Sequence, residues 1–320
     1  MHYSVNEMAV RIVEEKILPH MDALGVSLHT LSNGAKVIDM GVHAKGGWMS
    51  AKYFTEADLG GLGELHYRTM MVGRHLVPTA SIRVDRPGVA ELGCHDAFLL
   101  AQHMGRTVTV SGPIRTIVGT DKYVNCLSYR DSDAVKTVAA IQTDILPNED
   151  TAESIAEKAH VRPESMYILA AKTATLTGAA QVCARNVEQV LPSLLDRGFD
   201  METIVYASGT APIPSVVDDE TLAMGRVNDG LIYGQETNLY VRCEDEAIES
   251  ILPELPFNKN QDIFGIPFFD LFAQCGNDWA KVPRKWDAPC KVNFFNMKTN
   301  RIFVAGEFHY GVLEKSFLGI

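Results

Sequence analysis

Gln181, Arg185 and Glu188 stand four and then three residues apart in the run 166–191, MYILAAKTATLTGAAQVCARNVEQVL. On an α-helix this spacing brings an amide, a guanidinium and a carboxylate to one face. Such a polar face, just after a small-residue turn, is a candidate functional surface. It also reads as a solvated helix surface carrying a local ion pair. Taken alone, that second reading is the commoner one.

The elements around the trio must position it. MYILAA is a short apolar run with strand character, and residues 173–178 break it with small and hydroxylated side chains before a helical pattern begins. Lys172 stands at the strand end. Cys183, Val187, Val190 and Leu191 form the opposite, core-facing side of the expected helix. Three other segments offer ligand contacts. A strand at 107–110 leads into Ser111-Gly112-Pro113-Ile114-Arg115, a small-residue loop bearing an arginine, which suits an anionic or polar ligand group or is an ordinary turn. A strand at 203–207 leads into the loop 208–214, SGTAPIP, where two prolines stiffen the backbone around Thr210. Residues 223–230, AMGRVNDG, place Arg226, Asn228 and Asp229 close together and run into strands at 231–233 and 238–242.

The rest of the chain supplies the frame. Ser4 or Asn6 caps a first helix toward Leu18, and Asn33-Gly34 joins strands 26–31 and 35–40 in a hairpin. A helix follows at 49–59, a strand at 80–84, a helix from 88 to about 104, and a strand at 134–141. Asp150 with Glu153 reads as a capping box for a helix at 151–160. Phe264, Phe268, Phe269 and Phe272 read as core anchors, and 291–297 with 302–305 as a closing hairpin. The order of elements predicts an α/β (mixed α+β) fold with two layered αβ domains, 1–130 and 131–320, and an active-site cleft between them.

Composition narrows the function. The 320 residues carry a formal net charge of −11, which disfavours nucleic acid or an anionic membrane as partner. The N-terminus lacks the basic start and apolar run of a signal peptide, so a cytoplasmic protein is expected. Six cysteines occur without a CxxC and ten histidines without an HExxH, so no metal site is predicted. No GxGxxG follows a strand, so no dinucleotide site is predicted either.

In combination the segments are more specific than any one of them. TLTGAAQVCARNVEQ at 175–189, SGTAPIPSV at 208–216, AMGRVNDGLIYG at 223–234 and QDIFGIPF at 261–268 together resemble the methenyltetrahydromethanopterin cyclohydrolase family. The resemblance runs from the SVNE start and the NGAKVID hairpin to the closing LEKSF. It implies hydrolysis of the cyclic amidinium of a 5,10-methenyl-tetrahydropterin to the N5-formyl compound, with no metal or redox cofactor. It further implies Glu188 as the acid/base and Arg185 as its orienting and tuning partner. Gln181, Lys172, Ser111, Arg115, Thr210, Arg226, Asn228 and Asp229 become substrate contacts, and the pterin substrate is the small-molecule partner of a homotrimer.

Departures from the family pattern keep two alternatives open. Val110, Ile114, Lys172, Ala179, Asn186, His95, Phe98, Phe257 and Asn260 differ from the usual residues, as does the surrounding of Trp279 and Trp286. Altered carrier specificity, toward methenyltetrahydrofolate or another pterin, is one reading of a changed shell. A non-catalytic pterin-binding paralogue is another.

Overall fold

The computed structural model describes residues 3–319. Its backbone clusters into two compact units built from interleaved segments. One comprises the chain up to Glu64 together with Gly88–Gln181; the other comprises Leu65–Pro87 together with the chain from Val182 onward. A single cut at 130/131 does not describe them. The reason is a strand pairing: His75–Asp85 is hydrogen-bonded antiparallel to Ile204–Pro212, which draws an early segment into the later unit.

The first unit centres on a four-stranded sheet in the order Ser27–Thr30, Lys36–Gly41, Met166–Ala171, Thr137–Gln142. The first pair is the expected antiparallel hairpin, and the other two pairings are parallel. Met166–Ala171 is buried at every position, as a parallel strand covered on both faces should be. Ile168 and Ala170 point into one core with Ile155 and Ala152 of the helix Glu149–Ala159 and with Leu99 and Val110. Tyr167, Leu169 and Ala171 point into the other, against Val10 and Val13 near the N-terminus and Phe54 and Ala57 of the helix Trp48–Asp58.

Two local expectations change here. The helix expected from 88 to 104 stops at His95, and Leu99–His103 is a strand paired with Arg106–Val110. Leu99, Ala101 and His103 alternate with exposed neighbours, a period of two that a helix cannot use. The cap of Glu149–Ala159 is Asn148, whose side chain accepts from Thr151 N, in place of the Asp150 and Glu153 pair.

The second unit carries a six-stranded sheet in the order Arg301–Gly306, Lys291–Asn296, Glu236–Val241, Ile204–Pro212, His75–Asp85, Gly63–Val72. Glu236–Val241 and Lys291–Asn296 run parallel. The helices Glu220–Gly234, Phe268–Gln274 and Tyr310–Leu318 join in one apolar core through Ile232, Tyr233, Phe268, Leu271, Leu313 and Phe317. Of the four expected phenylalanine anchors, Phe268 and Phe272 are buried and Phe269 is exposed. The residues 208–212, expected in a loop, continue the strand Ile204–Pro212. Residues 231–233, expected as a strand, finish the long helix begun at Glu220, whose cap is Asp219. Their apolar run is short, and periodicity cannot separate strand from helix at that length. No helix among the described residues is long and apolar enough to cross a membrane.

Candidate active site

The strand Met166–Ala171 ends in a turn that hands the chain to a helix. Thr175 Oγ1 donates to the Lys172 carbonyl (2.8 Å) and accepts from Gly178 N (3.2 Å). A Cβ at Gly178 would stand 1.9 Å from the Lys172 carbonyl oxygen, so the helix can start this close to the strand only with glycine there. Lys172 itself is partly buried, its amide donating to Gly41 O.

The helix Leu176–Cys183 is shorter than its sequence pattern. A 3₁₀ turn, Ala184–Asn186, replaces it, with Arg185 at ψ 18°. Arg185 and Glu188 therefore lie beyond the helix, and the trio does not share one continuous helical face. Asn186 supplies the physical reason. Its Nδ2 donates to the carbonyls of Cys183 (2.8 Å) and Ala80 (3.1 Å), and its own carbonyl accepts from Gln235 Nε2 (2.9 Å) and from Thr237 Oγ1. A short side chain bonded to nearby carbonyls competes with the helical ladder and ends it. Gly209 makes room for it, since a Cβ there would lie 2.0 Å from Asn186 Oδ1. The apolar side agrees with the sequence reading: Cys183, Val187, Val190 and Leu191 are all buried.

Buried amide atoms without a partner mark this stretch. Gln181 is 1% exposed, and its Oε1 has no hydrogen-bond partner among the described residues; neither does Asn186 Oδ1 or Gln189 Nε2. Such atoms are rare in folded proteins and call for a water or ligand. Arg185 and Glu188 are partly buried. Close to Glu188 in charge terms is Asp287, raised to about 7 by burial first, with the Arg284 guanidinium drawing it down and the Glu188 carboxylate pushing it up. Arg284 pairs with Asp287 and reaches Asp196 Oδ2 at 3.3 Å.

The other candidates divide between the units. In the first, Ser111 is buried and its Oγ donates to Asp58 Oδ2 (2.9 Å). Arg115 is 0% exposed: its fork holds Asp121 through Nε (2.9 Å) and Nη2 (2.8 Å), and Nη1 donates to the carbonyls of Leu92 (2.8 Å) and Asp96 (2.7 Å). That guanidinium ties loop to loop. In the second unit, Asp229 is buried between two elements, accepting from Phe268 N (2.7 Å) at the start of Phe268–Gln274 and from Ser316 Oγ (2.5 Å). Burial raises it to about 7, against the pull of these two bonds. Asn228 Nδ2 donates to Met224 O, and Arg226 is partly buried, its Nε without a partner among the described residues. Thr210 lies on the sheet, 3.0 Å from Ser81 Oγ.

With this geometry in view, residues 4–317 match the family described as Cyclohydrolase (MCH). The chain belongs to this cyclohydrolase family. Among its relatives, the methenyltetrahydromethanopterin cyclohydrolase of Methanospirillum hungatei is 33% identical over 315 residues, covering 98% of each chain. The enzymes of the same name from Methanocorpusculum labreanum and Methanocaldococcus jannaschii are 34% and 33% identical, again over 98% of each chain. The family match spans all the segments that sequence reading singled out. It does not by itself point to Asp287, whose carboxyl feels the charge of Glu188 although the two are about a hundred residues apart in the chain. Asn186 was visible as an unusual residue; its part in ending the helix was not. Among the described residues no group of three or more His, Cys, Asp or Glu could hold a metal ion.

Proposed function

We propose that this protein hydrolyses a 5,10-methenyl-tetrahydropterin, with tetrahydromethanopterin as the carrier, to the N5-formyl form. The observation that carries the reading is the end-to-end match to relatives named for this reaction. The methenyl carbon bridging N5 and N10 is already an electrophilic cation, so the protein must place a water, accept its proton and return one to nitrogen. Glu188 takes a proton as water oxygen bonds to that carbon. The tetrahedral adduct then collapses to the formyl group as the bond from carbon to N10 breaks. N10 gains one proton, and one is released per turnover. Negative charge on Glu188 complements the cation, and Arg185 orients the carboxylate.

Gln181 fits a contact to water or pterin, because its buried carbonyl oxygen lacks a donor among the described residues. Thr210, Arg226, Asn228 and Lys172 remain proposed substrate contacts. Ser111, Arg115 and Asp229, whose polar atoms already serve Asp58, Asp121, Phe268 and Ser316, are assigned to hold the walls in place. A cytoplasmic homotrimer is the proposed working form, and sedimentation should give three times the chain mass.

Mixing the protein with the methenyl compound and following loss of the amidinium absorbance tests the reading. Acceleration well above the buffer rate is expected; a rate equal to buffer would overturn it. The folate analogue, run in parallel, should give the lower kcat/KM.

A further inference from the structure

The six-stranded sheet of the second unit holds a hollow of about 180 Å³ on one face, apart from the Glu188 stretch in its lining. Four adjacent strands each give it two polar or charged residues spaced by two, the spacing that puts side chains on the same face. Gly63–Val72 supplies His66 and Arg68, and His75–Asp85 supplies Ser81 and Arg83. Ile204–Pro212 supplies Ser208 and Thr210, and Glu236–Val241 supplies Glu236 and Asn238. Register fixes their neighbours: Arg83 is opposite Ser208, which is opposite Asn238, while Ser81 is opposite Thr210, which is opposite Glu236. Cross-strand neighbours are roughly 5 Å apart and same-face neighbours along a strand roughly 7 Å apart, a frame of the size of a tetrahedral or planar oxyanion.

The charges are unbalanced. Glu236 is already neutralised, its carboxylate bonded to Lys291 Nζ (2.8 Å) and Asn293 Nδ2 (2.8 Å). These two bonds hold it below the usual carboxylate range although burial works the other way. Arg68 and Arg83 make no ion pair or hydrogen bond to a side chain among the described residues, and Asp85 on the same face does not reach Arg83. Two guanidinium groups without partners on a chain of net charge −11 are a local reversal of sign.

Hydroxyl donors are left over as well. Thr79, Ser81 and Thr210 form a chain with contacts of 3.4 and 3.0 Å, so three hydroxyl protons serve two contacts. Ser208 Oγ accepts from Asn238 Nδ2 (3.3 Å), and Asn238 Oδ1 is held by Asn293 Nδ2 (2.8 Å), leaving the Ser208 proton without an acceptor among the described residues.

We propose that this sheet-face hollow is an oxyanion-binding site, in which Arg83 and Arg68 clamp a phosphate or carboxylate group and Ser208 and the Ser81–Thr210 pair donate to its oxygens. Guanidinium forks match such groups in shape as well as charge. The site shares Thr210 with the proposed substrate contacts, but its test reads binding and not turnover, so the two readings can fail separately.

Calorimetric titration of the full chain at low ionic strength, with inorganic phosphate in one arm and malonate in the other, decides it. Saturable binding of at least one anion is expected. A stronger phosphate isotherm indicates a phosphorylated ligand, and a stronger malonate isotherm a carboxylate one. Arg83→Gln and Arg68→Gln should each weaken it by about tenfold or more, and Arg83→Lys by less. Arg301→Gln, an exposed change on the far edge strand, should leave it unaltered, and each variant's melting curve shows whether it is folded. The proposal is overturned by wild-type protein that binds neither anion at millimolar concentration, or by equal affinity in wild type and a folded Arg83→Gln.

Discussion

Two stretches that sequence reading marked for ligand contact are built in opposite ways. Around 111–121 the polar atoms are spoken for: Ser111 donates to Asp58, and the buried Arg115 holds Asp121 and two backbone carbonyls. Between 181 and 189, three amide atoms are buried without a partner among the described residues, and Glu188 adds to the electrostatic load on Asp287. A satisfied buried network rigidifies a fold, whereas unsatisfied buried atoms weaken it unless something completes them. The contrast sets architecture against the proposed reaction site, and substitutions on either side can test it.

The largest effect belongs on the unsatisfied side. Glu188→Gln keeps the size of the side chain and removes the proposed base, so turnover of the methenyl compound should fall by about 10² to 10⁴-fold, the usual contribution of a positioned acid/base, with melting temperature almost unchanged. Turnover at the wild-type rate would remove Glu188 from the chemistry. On the satisfied side, Arg115→Met strips Asp121 of its partner in a buried setting and should cost about 3–5 kcal/mol in denaturant unfolding. If Arg115→Met instead left stability intact and raised KM, the guanidinium would belong with the ligand contacts.

Asp229 extends the satisfied side to pH. Its value in the fold, about 7, lies above the ordinary 3.8, so the native state keeps a proton that the unfolded chain gives up. Stability from this group is fully present below about pH 4, declines as pH rises to about 7, and is flat above, a change on the order of 4 kcal/mol. Asp229→Asn should flatten that decline, because the amide can still accept from Phe268 N and stays neutral. Equal pH slopes in the two proteins, followed by thermal melting from pH 4 to 8, would count against a buried, protonating Asp229.

How much of this was legible in the sequence follows from the range of the interactions. Short apolar runs and Asn-Gly turn chemistry are local, so the 27–41 hairpin, the 166–171 strand and the closing hairpin could be read directly. The end of the helix at Cys183 could not, because it depends on Asn186 finding Ala80, Gln235 and Thr237 in other segments. Residues 208–212 look like a loop by composition, and pairing on both sides makes them a central strand. The frame of the oxyanion hollow was hidden for the same reason: its eight side chains come from four strands and meet only in register.

The smallest effect is also the most discriminating. Gln181 Oε1 is a buried acceptor with no donor among the described residues, so replacing it by leucine, close in volume and apolar, removes a desolvation cost of about 1–3 kcal/mol. Were the atom kept for a ligand, Gln181→Leu would raise the melting temperature of the free protein and, in the same variant, raise KM several-fold. Two measurements then move in opposite directions, which no general damage to the fold produces. A variant that is destabilised, or one stabilised with KM unchanged, would show that the amide has no ligand to meet and would move Gln181 to the side of Ser111 and Arg115.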